Sequence, residues 1–362
     1  MNDRASGSVD RKSKSQPRQR GHAKKRESSP GVDALSDVLQ AVRLKGAVFF
    51  DVETSAPWVA EAPQAKFVAP ALMPDSDHVI EYHVITSGSC WAGVTGDDSR
   101  PIRLAAGDVV AFPRGDAHVL SSSPGMRGTP DENTFVLPQS AAQLPLILNV
   151  EGNGGERAHL VCGFLGCDSR PFNPLLESLP RILHVSASVT AGSGWLDAFT
   201  RFALLEASDK RAGAAGILSK LGELMFVEIV RAHIEALPDN SNGWLAGLKD
   251  RYVGLALNRL HAQPARDWTL QELAKEVGQS RSAFAARFTA LVGTPPIQYL
   301  QRWRLQLAAS RLLDNATVAT VAADAGYESE AAFSRAFRRA VGLPPAEWRN
   351  RRTMARRADE GG

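Results

Sequence analysis

The pattern of apolar and polar positions changes period along the chain. Residues 1–31 hold Ser, Gln, Arg and Lys with almost nothing apolar. Burial cannot offset the entropy of ordering them, so a disordered basic tail is expected. Residues 32–185 carry short β-rich runs: Ala47–Val52, Val79–Thr86, Cys90–Val94, Asp108–Phe112, His118–Ser121 and His159–Leu165. Gly, Pro, Asp and Ser punctuation separates them, as in Ser87-Gly88 and Pro113-Arg114-Gly115-Asp116, which reads as a sandwich or small barrel. Gly125–Gly155 reads as a long, loose insertion.

After Asn173-Pro174 the period becomes helical. Trp195–Ala207 and Gly213–Leu237 place apolar residues at i, i+3, i+4 spacing, with Ile217, Leu221, Leu224, Met225, Ile229 and Ile234 as the expected stripe. That stripe either packs on the chain's own barrel or forms a helix–helix seam in a homodimer. Pro238 to Gly243 is a linker. The expected organisation is therefore a basic tail (1–31), a β-rich domain (32–185), a helical linker that can serve dimerisation (186–243), an all-α domain (244–352) and a second tail (353–362).

The all-α domain contains an internal repeat. Thr269-Leu270-Gln271-Glu272 has the form of a capping box, Gly278 ends that helix, and Ser280 caps a second one in which Phe284, Phe288 and Leu291 share a face. The second copy starts near Thr317, reaches Gly326 and restarts at Ser329. Phe333, Phe337, Gly342, Pro344, Pro345 and Trp348 match Phe284, Phe288, Gly293, Pro295, Pro296 and Tyr299 at an offset of 49, whereas Gly326 matches Gly278 at 48, so the second turn holds one extra residue. Each copy has the helix-turn-helix layout.

A tandem helical bundle without a DNA role leaves the outward faces unexplained. With Phe333 in the core, Glu330, Ala331, Ser334, Arg335, Arg338 and Arg339 lie outside or beside the outer face. In the first copy the corresponding set is Arg281, Ser282, Ala285, Ala286, Arg287 and Thr289. Arginine can take guanine bidentately in a major groove, and small residues permit close approach. The second copy is therefore expected to supply more of the base readout. Between the copies Ile297–Asp314 reads as one helix, about 27 Å long. Its Leu300, Trp303, Leu307 and Leu312 can brace both units near one DNA turn, about 34 Å, apart.

Charge supports this division. Lys plus Arg against Asp plus Glu number 9 against 2 in residues 1–26, 15 against 26 in 27–244, and 18 against 11 in 245–362. A basic end joined to an acidic middle is expected when only one end meets phosphate. No run of 18 or more apolar residues and no secretory signal occurs, which points to a cytoplasmic protein without a membrane partner. Three cysteines, Cys90, Cys162 and Cys167, lack a metal-type CxxC spacing and fit a reducing compartment.

The run Arg304 to Leu313, followed by Val318 to Ala322 and by Gly326-Tyr327-Glu328-Ser329-Glu330-Ala331-Ala332-Phe333-Ser334-Arg335-Ala336-Phe337-Arg338-Arg339, closely resembles the signature of AraC/XylS-type regulators across roughly residues 244–350. The resemblance implies promoter binding, with double-stranded DNA and RNA polymerase as partners. Gly107-Asp108-Val109-Val110-Ala111-Phe112-Pro113-Arg114-Gly115-Asp116-Ala117-His118 resembles the second motif of cupin barrels. The first motif is degraded: His83 is present, but an H-x-H pair and the usual following Glu are missing. The implied fold class is α+β multidomain: a cupin-like β-barrel, a helical linker and an all-α domain with two helix-turn-helix units.

His83, Cys90, His118 and Cys162 are the sensor candidates. The two histidines can ligate Zn, Fe or Cu; without an evident third ligand they read as pocket residues, and no cofactor is expected. A redox-sensing thiol needs exposure and a lowered pKa, and buried inert thiols are the default. Cys162 and Cys167, five apart on a strand, should face opposite sides. The leading expectation is a transcription regulator responding to a small molecule or oxidant. The rival is a cupin metalloenzyme, an isomerase or dioxygenase, with a DNA-binding appendage.

Overall fold

The computed structural model of the chain describes residues 33–98, 100–130, 146–150, 152–187, 194–209 and 212–360. The expected tail 1–31 and most of the expected insertion lie outside the described residues. Helix α1 (Ala34–Ala41) is capped by the Asp33 carboxylate, which accepts from the Leu35 amide. Ten strands follow: β1 (Lys45–Ser55), β2 (Val59–Ala62), β3 (His78–Ser87), β4 (Ser89–Val94), β5 (Ile102–Ala105), β6 (Val109–Phe112), β7 (His118–Ser121), β8 (Leu146–Val150), β9 (Arg157–Cys167) and β10 (Leu183–Val185). Helix α2 (Ala65–Leu72) interrupts them after β2, and α3 (Pro174–Ser178) after β9.

The strands form a six-stranded sheet, in the order β10-β6-β3-β9-β1-β8, and a four-stranded sheet, in the order β2-β7-β4-β5. Among the described strands only the β1–β8 pairing is parallel, with Phe50 opposite Leu146. The larger sheet is apolar on both faces, and strand alternation shows why. Ile80, Tyr82 and Val84 of β3, and Val161 and Leu165 of β9, enter a core shared with helices. Val79 and Ile85 of β3, and Leu160, Cys162 and Phe164 of β9, enter a second core between the sheets. A strand buried on both faces reads as an unbroken apolar run, as Val109-Val110-Ala111-Phe112 does.

The cupin-like β domain expected from the sequence is present, but it is not a closed barrel. Among the described residues no ladder joins the two sheets, and each ends in short edge strands. Those strands, β2, β5, β8 and β10, hold three to five residues and are too short to display a period. Cys162 and Cys167 face opposite cores, as their spacing predicts.

Helices α4 (Trp195–Asp209) and α5 (Ala214–Ala236) follow the strands. Helix α5 packs on the outer face of the larger sheet through Leu218, Met225, Phe226, Ile229 and Val230. The expected stripe is rotated by about one residue: Ile217 and Leu224 stay 37% and 62% exposed. Gly222 faces the sheet, where a Cβ would approach the Tyr82 hydroxyl to 3.0 Å. The close approach of a helix to Tyr82 sets the register, which apolar spacing alone does not encode.

The C-terminal helices are α6 (Trp244–Lys249), α7 (Arg251–Ala262), α8 (Leu270–Glu276), α9 (Arg281–Val292), α10 (Pro296–Leu313), α11 (Val318–Asp324), α12 (Glu330–Val341) and α13 (Pro345–Glu360). Helix α13 includes residues 353–360, which had been expected to be a tail. The repeat has the anticipated caps. Thr269 and Glu272 form a complete capping box, and the side chains of Ser280, Thr317 and Ser329 accept amides at the starts of α9, α11 and α12. Gly293 and Gly342 end α9 and α12 with φ of 76° and 87°, a left-handed geometry that favours glycine.

Helix α10 enters two cores. Tyr299, Leu300 and Trp303 join Phe284 and Phe288 in the core that continues through α5 to the larger sheet. Leu305, Ala308, Ala309 and Leu312 join Phe333, Phe337 and Trp348 in a separate one.

Candidate functional site

The DNA-facing candidates lie on α9 and α12, the second helix of each unit. On α12, Glu330, Ala331, Arg335, Arg338 and Arg339 are exposed and Ser334 is half-buried. Phe333 and Phe337, fully buried beneath them, fix the face that α12 turns outward. Among the described residues Arg335, Arg338 and Arg339 make no ion pair, so three guanidinium groups remain free for an external anion or base edge.

The first unit differs. Arg281, Ser282, Ala286 and Arg287 are exposed, while Ala285 and Thr289 are half-buried. Arg287 is held by Asp250, with Nε and Nη2 donating to Oδ2 at 2.9 and 2.5 Å. Asp250 also caps α7, accepting from the Tyr252 and Val253 amides. Its carboxyl is held below its ordinary range by Arg287 and these amides, against the opposing effect of burial. Arg287 thus braces α9 against α7, which leaves Arg281 as the unpaired cation among the first-unit candidates.

The sensor candidates converge between the sheets. A cavity of about 280 Å³ is lined on its apolar side by Phe50, Trp58, Leu120, Leu148 and Phe164, and on its polar side by Glu81, His83, His118 and Cys162. Cys90 is buried in the same interior core but does not line the cavity.

The polar groups form a chain whose proton positions follow from their partners. His118 Nδ1–H donates to the Asp116 carbonyl at 3.0 Å, which leaves Nε2 as an acceptor. His83 Nε2–H donates to it at 2.9 Å, so His83 Nδ1 accepts from the Cys162 thiol at 2.9 Å. Phe112 stacks on His118 with centroids 3.7 Å apart. Burial holds His83 well below its ordinary value and pushes His118 down to about 4, so both rings are neutral. Burial raises all three thiols, Cys90 to about 12, which keeps them protonated and disfavours thiolate-based oxidant sensing.

Glu81 completes the cluster and was missed from the sequence. It precedes His83 by two residues on β3, so both side chains share a face of the strand, whereas the resembled cupin motif places its Glu after the histidine. Glu81 is 2% exposed, its Oε2 lies 3.7 Å from His118 Nε2, and its Oε1 has no hydrogen-bond partner. By contrast, Glu61 on the cavity wall is engaged by Arg127 at 2.9 and 2.5 Å. One donor from each of Glu81, His83 and His118 lies within 4.8 Å of the others. The two imidazoles and the carboxylate with a free oxygen fit a divalent transition metal. Among the described residues the cavity lining contains neither Lys nor Arg.

Together, a duplicated helix-turn-helix domain with free arginines and a two-sheet domain enclosing a cavity define a ligand-binding, DNA-binding regulator. Comparison with known proteins agrees: residues 33–235 match the cupin family model and residues 273–351 match a helix-turn-helix domain model. A putative AraC-like transcription regulator of Streptomyces lividans is 33% identical over 324 residues, covering 89% of this chain and all of that protein. The transcriptional regulator AlkR of Acinetobacter baylyi is 30% identical over 331 residues, 88% of this chain and 99% of its own. The DNA-binding domain of AdpA, solved in complex with a target DNA, is 29% identical over 32% of this chain and all of that one, with a TM-score of 0.27. The chain belongs to the AraC-like transcription regulators. Among the described residues no helix is long and apolar enough to cross a membrane.

Burial pushes the Glu81 carboxyl from 4.5 up to about 8. The folded state therefore holds this proton more tightly than the unfolded chain does. Its stabilisation is full below pH 4.5 and is lost as pH rises toward 8. The lowered histidines act oppositely, below their ordinary value of 6.5; above it His159, raised by its hydrogen bond to Asp51, changes alongside Glu81, and comparison with Glu81→Gln isolates the Glu81 part. In chelator-treated protein, urea unfolding should show wild type losing about 1.4 kcal/mol per pH unit relative to Glu81→Gln between pH 6.5 and 8. A constant difference contradicts the assignment of a buried, protonated Glu81.

Proposed function

We propose that the chain is a sequence-specific promoter-binding regulator, not an enzyme, in which α9 and α12 enter major grooves and the inter-sheet cavity receives the effector. Base readout comes mainly from Arg335, Arg338 and Arg339, with Arg281 and the small residues Ser282, Ala285, Ala286 and Thr289 permitting close approach in the first unit. RNA polymerase is the partner through which a bound regulator acts on transcription, and the cytoplasm is where promoter DNA is met. Homodimerisation uses the α4–α5 surface, where Phe202, Ile217 and Leu224 remain exposed at 43%, 37% and 62%.

The observation that carries the DNA-binding reading is the set of unpaired arginines on α12 above the buried Phe333 and Phe337. In fluorescence-anisotropy titrations on a promoter fragment, Arg335→Ala should weaken binding by about 1–3 kcal/mol and relax base preference. Arg287→Ala should change base preference far less, because that guanidinium already serves Asp250. Equally weak binding to all sequences, unaltered by Arg335→Ala, contradicts the reading.

The free oxygen of Glu81 beside two imidazoles favours a divalent transition metal as the effector, or as the anchor for one. Glu81, His83 and His118 would hold it, and the ion would supply a Lewis-acidic centre inside the apolar chamber. Elemental analysis and isothermal titration with Zn²⁺ should give one ion per chain, with His118→Ala and Glu81→Gln each weakening binding by roughly 10-fold or more. Absence of stoichiometric binding removes the metal and leaves an uncharged or cationic organic molecule as the chamber's occupant.

A further inference from the structure

The two helix-turn-helix units are held to the sensor in different ways. The first shares a continuous apolar core with the larger sheet, α1, α3 and α5. The second has its own core and joins the rest through α10. Apart from Gln306 on α10, its hydrogen bonds and ion pairs to the sensor run, among the described residues, through one side chain, Arg352 of α13. That guanidinium pairs with Asp168 and reaches Asp77 at 3.8 Å.

Asp168 stands one residue beyond β9, the strand whose Leu160, Cys162 and Phe164 line the cavity. It is 3% exposed and is anchored on the sensor side independently of Arg352. Arg43 Nε and Nη2 donate to it at 2.8 and 3.3 Å, its amide donates to the Val42 carbonyl at 2.8 Å, and its carbonyl accepts from Asn173 at 2.8 Å. On the other side Arg352 lies 5.9 Å from the Trp348 ring, and Trp348 packs edge-on against Phe337 of α12, with centroids 5.5 Å apart. A physical path therefore runs from the cavity wall to the helix that carries Arg335 and Arg338.

We propose that Asp168 and Arg352 form a latch that pins the second helix-turn-helix unit to the sensor, making that unit the half whose placement an effector controls. The regulatory role rests on the effector-responsive reading above; the latch itself does not. Opening it leaves Asp168 paired with Arg43, so the sensor does not acquire an isolated buried charge, which would be costly. The first unit lacks this freedom. Moving it would expose part of a common apolar core, including Trp244 and Tyr299, whose indole N–H and hydroxyl are joined at 2.8 Å. Gln306, fully buried on α10, likewise stays fixed to the sensor, donating to the Ala41 carbonyl at 3.1 Å and accepting from the Phe172 amide at 3.0 Å.

Hydrogen–deuterium exchange on the full chain, without DNA, reads the latch directly and is independent of whether the DNA-binding reading holds. Arg352→Gln should speed exchange of α11 and α12 amides by roughly tenfold while leaving α8 and α9 unchanged. Arg352→Lys, which keeps the charge, should restore much of the protection. Arg43→Gln, which leaves the Asp168–Arg352 pair in place, should leave α11 and α12 as in wild type. Unchanged exchange in Arg352→Gln overturns the proposal, as does a rise spread equally over both units or an equal loss of protection in Arg352→Lys.

Discussion

The architecture depends on one helix being buried twice. Helix α10 places Tyr299, Leu300 and Trp303 in a core with the first unit and Leu305, Ala309 and Leu312 in a core with the second. At 1.5 Å per residue its 18 residues make a rod of about 27 Å. Tyr299 meets Phe288 near its first turn, and Leu312 in its last turn packs among Phe333, Phe337 and Trp348. A helix committed to two aromatic cores cannot rotate without opening both, so the outward faces of α9 and α12 are placed by packing and not by surface charge.

The sensor applies the opposite economy, keeping polar groups inside an apolar shell. Burial removes the charge from His83, His118 and Glu81, and hydrogen bonds fix where the protons of the two imidazoles sit. Only Glu81 keeps a buried oxygen without a partner within that cluster. An orphaned carboxyl facing two imidazoles is costly in an empty fold and becomes useful when an occupant satisfies it.

Much of the DNA-binding half was legible because its signals are local. Thr269 with Glu272, Ser280, Ser329 and the paired phenylalanines act within a few residues of themselves, and the offset of 49 exposes the duplication. What stayed hidden depends on distant partners. Arg287 looks like a groove contact until Asp250, 37 residues away, is found against it. Leu224 looks like core until Gly222 is seen to take the contact with Tyr82. His83 and His118 were singled out individually, but their meeting depends on two strands that do not pair with each other. Glu81 obeys the period-two rule of its strand but stands before the histidine, opposite to the carboxylate position of the resembled cupin motif. The unclosed barrel reflects edge strands too short to reveal their pairing.

The central claim is that a single rod holds two recognition helices for neighbouring grooves. Guanine-N7 methylation interference on a bound promoter fragment tests it most directly, because N7 lies in the major groove. The account predicts two clusters of interfering guanines about one helical turn apart on one face of the duplex. One cluster alone, or two on opposite faces, would contradict it.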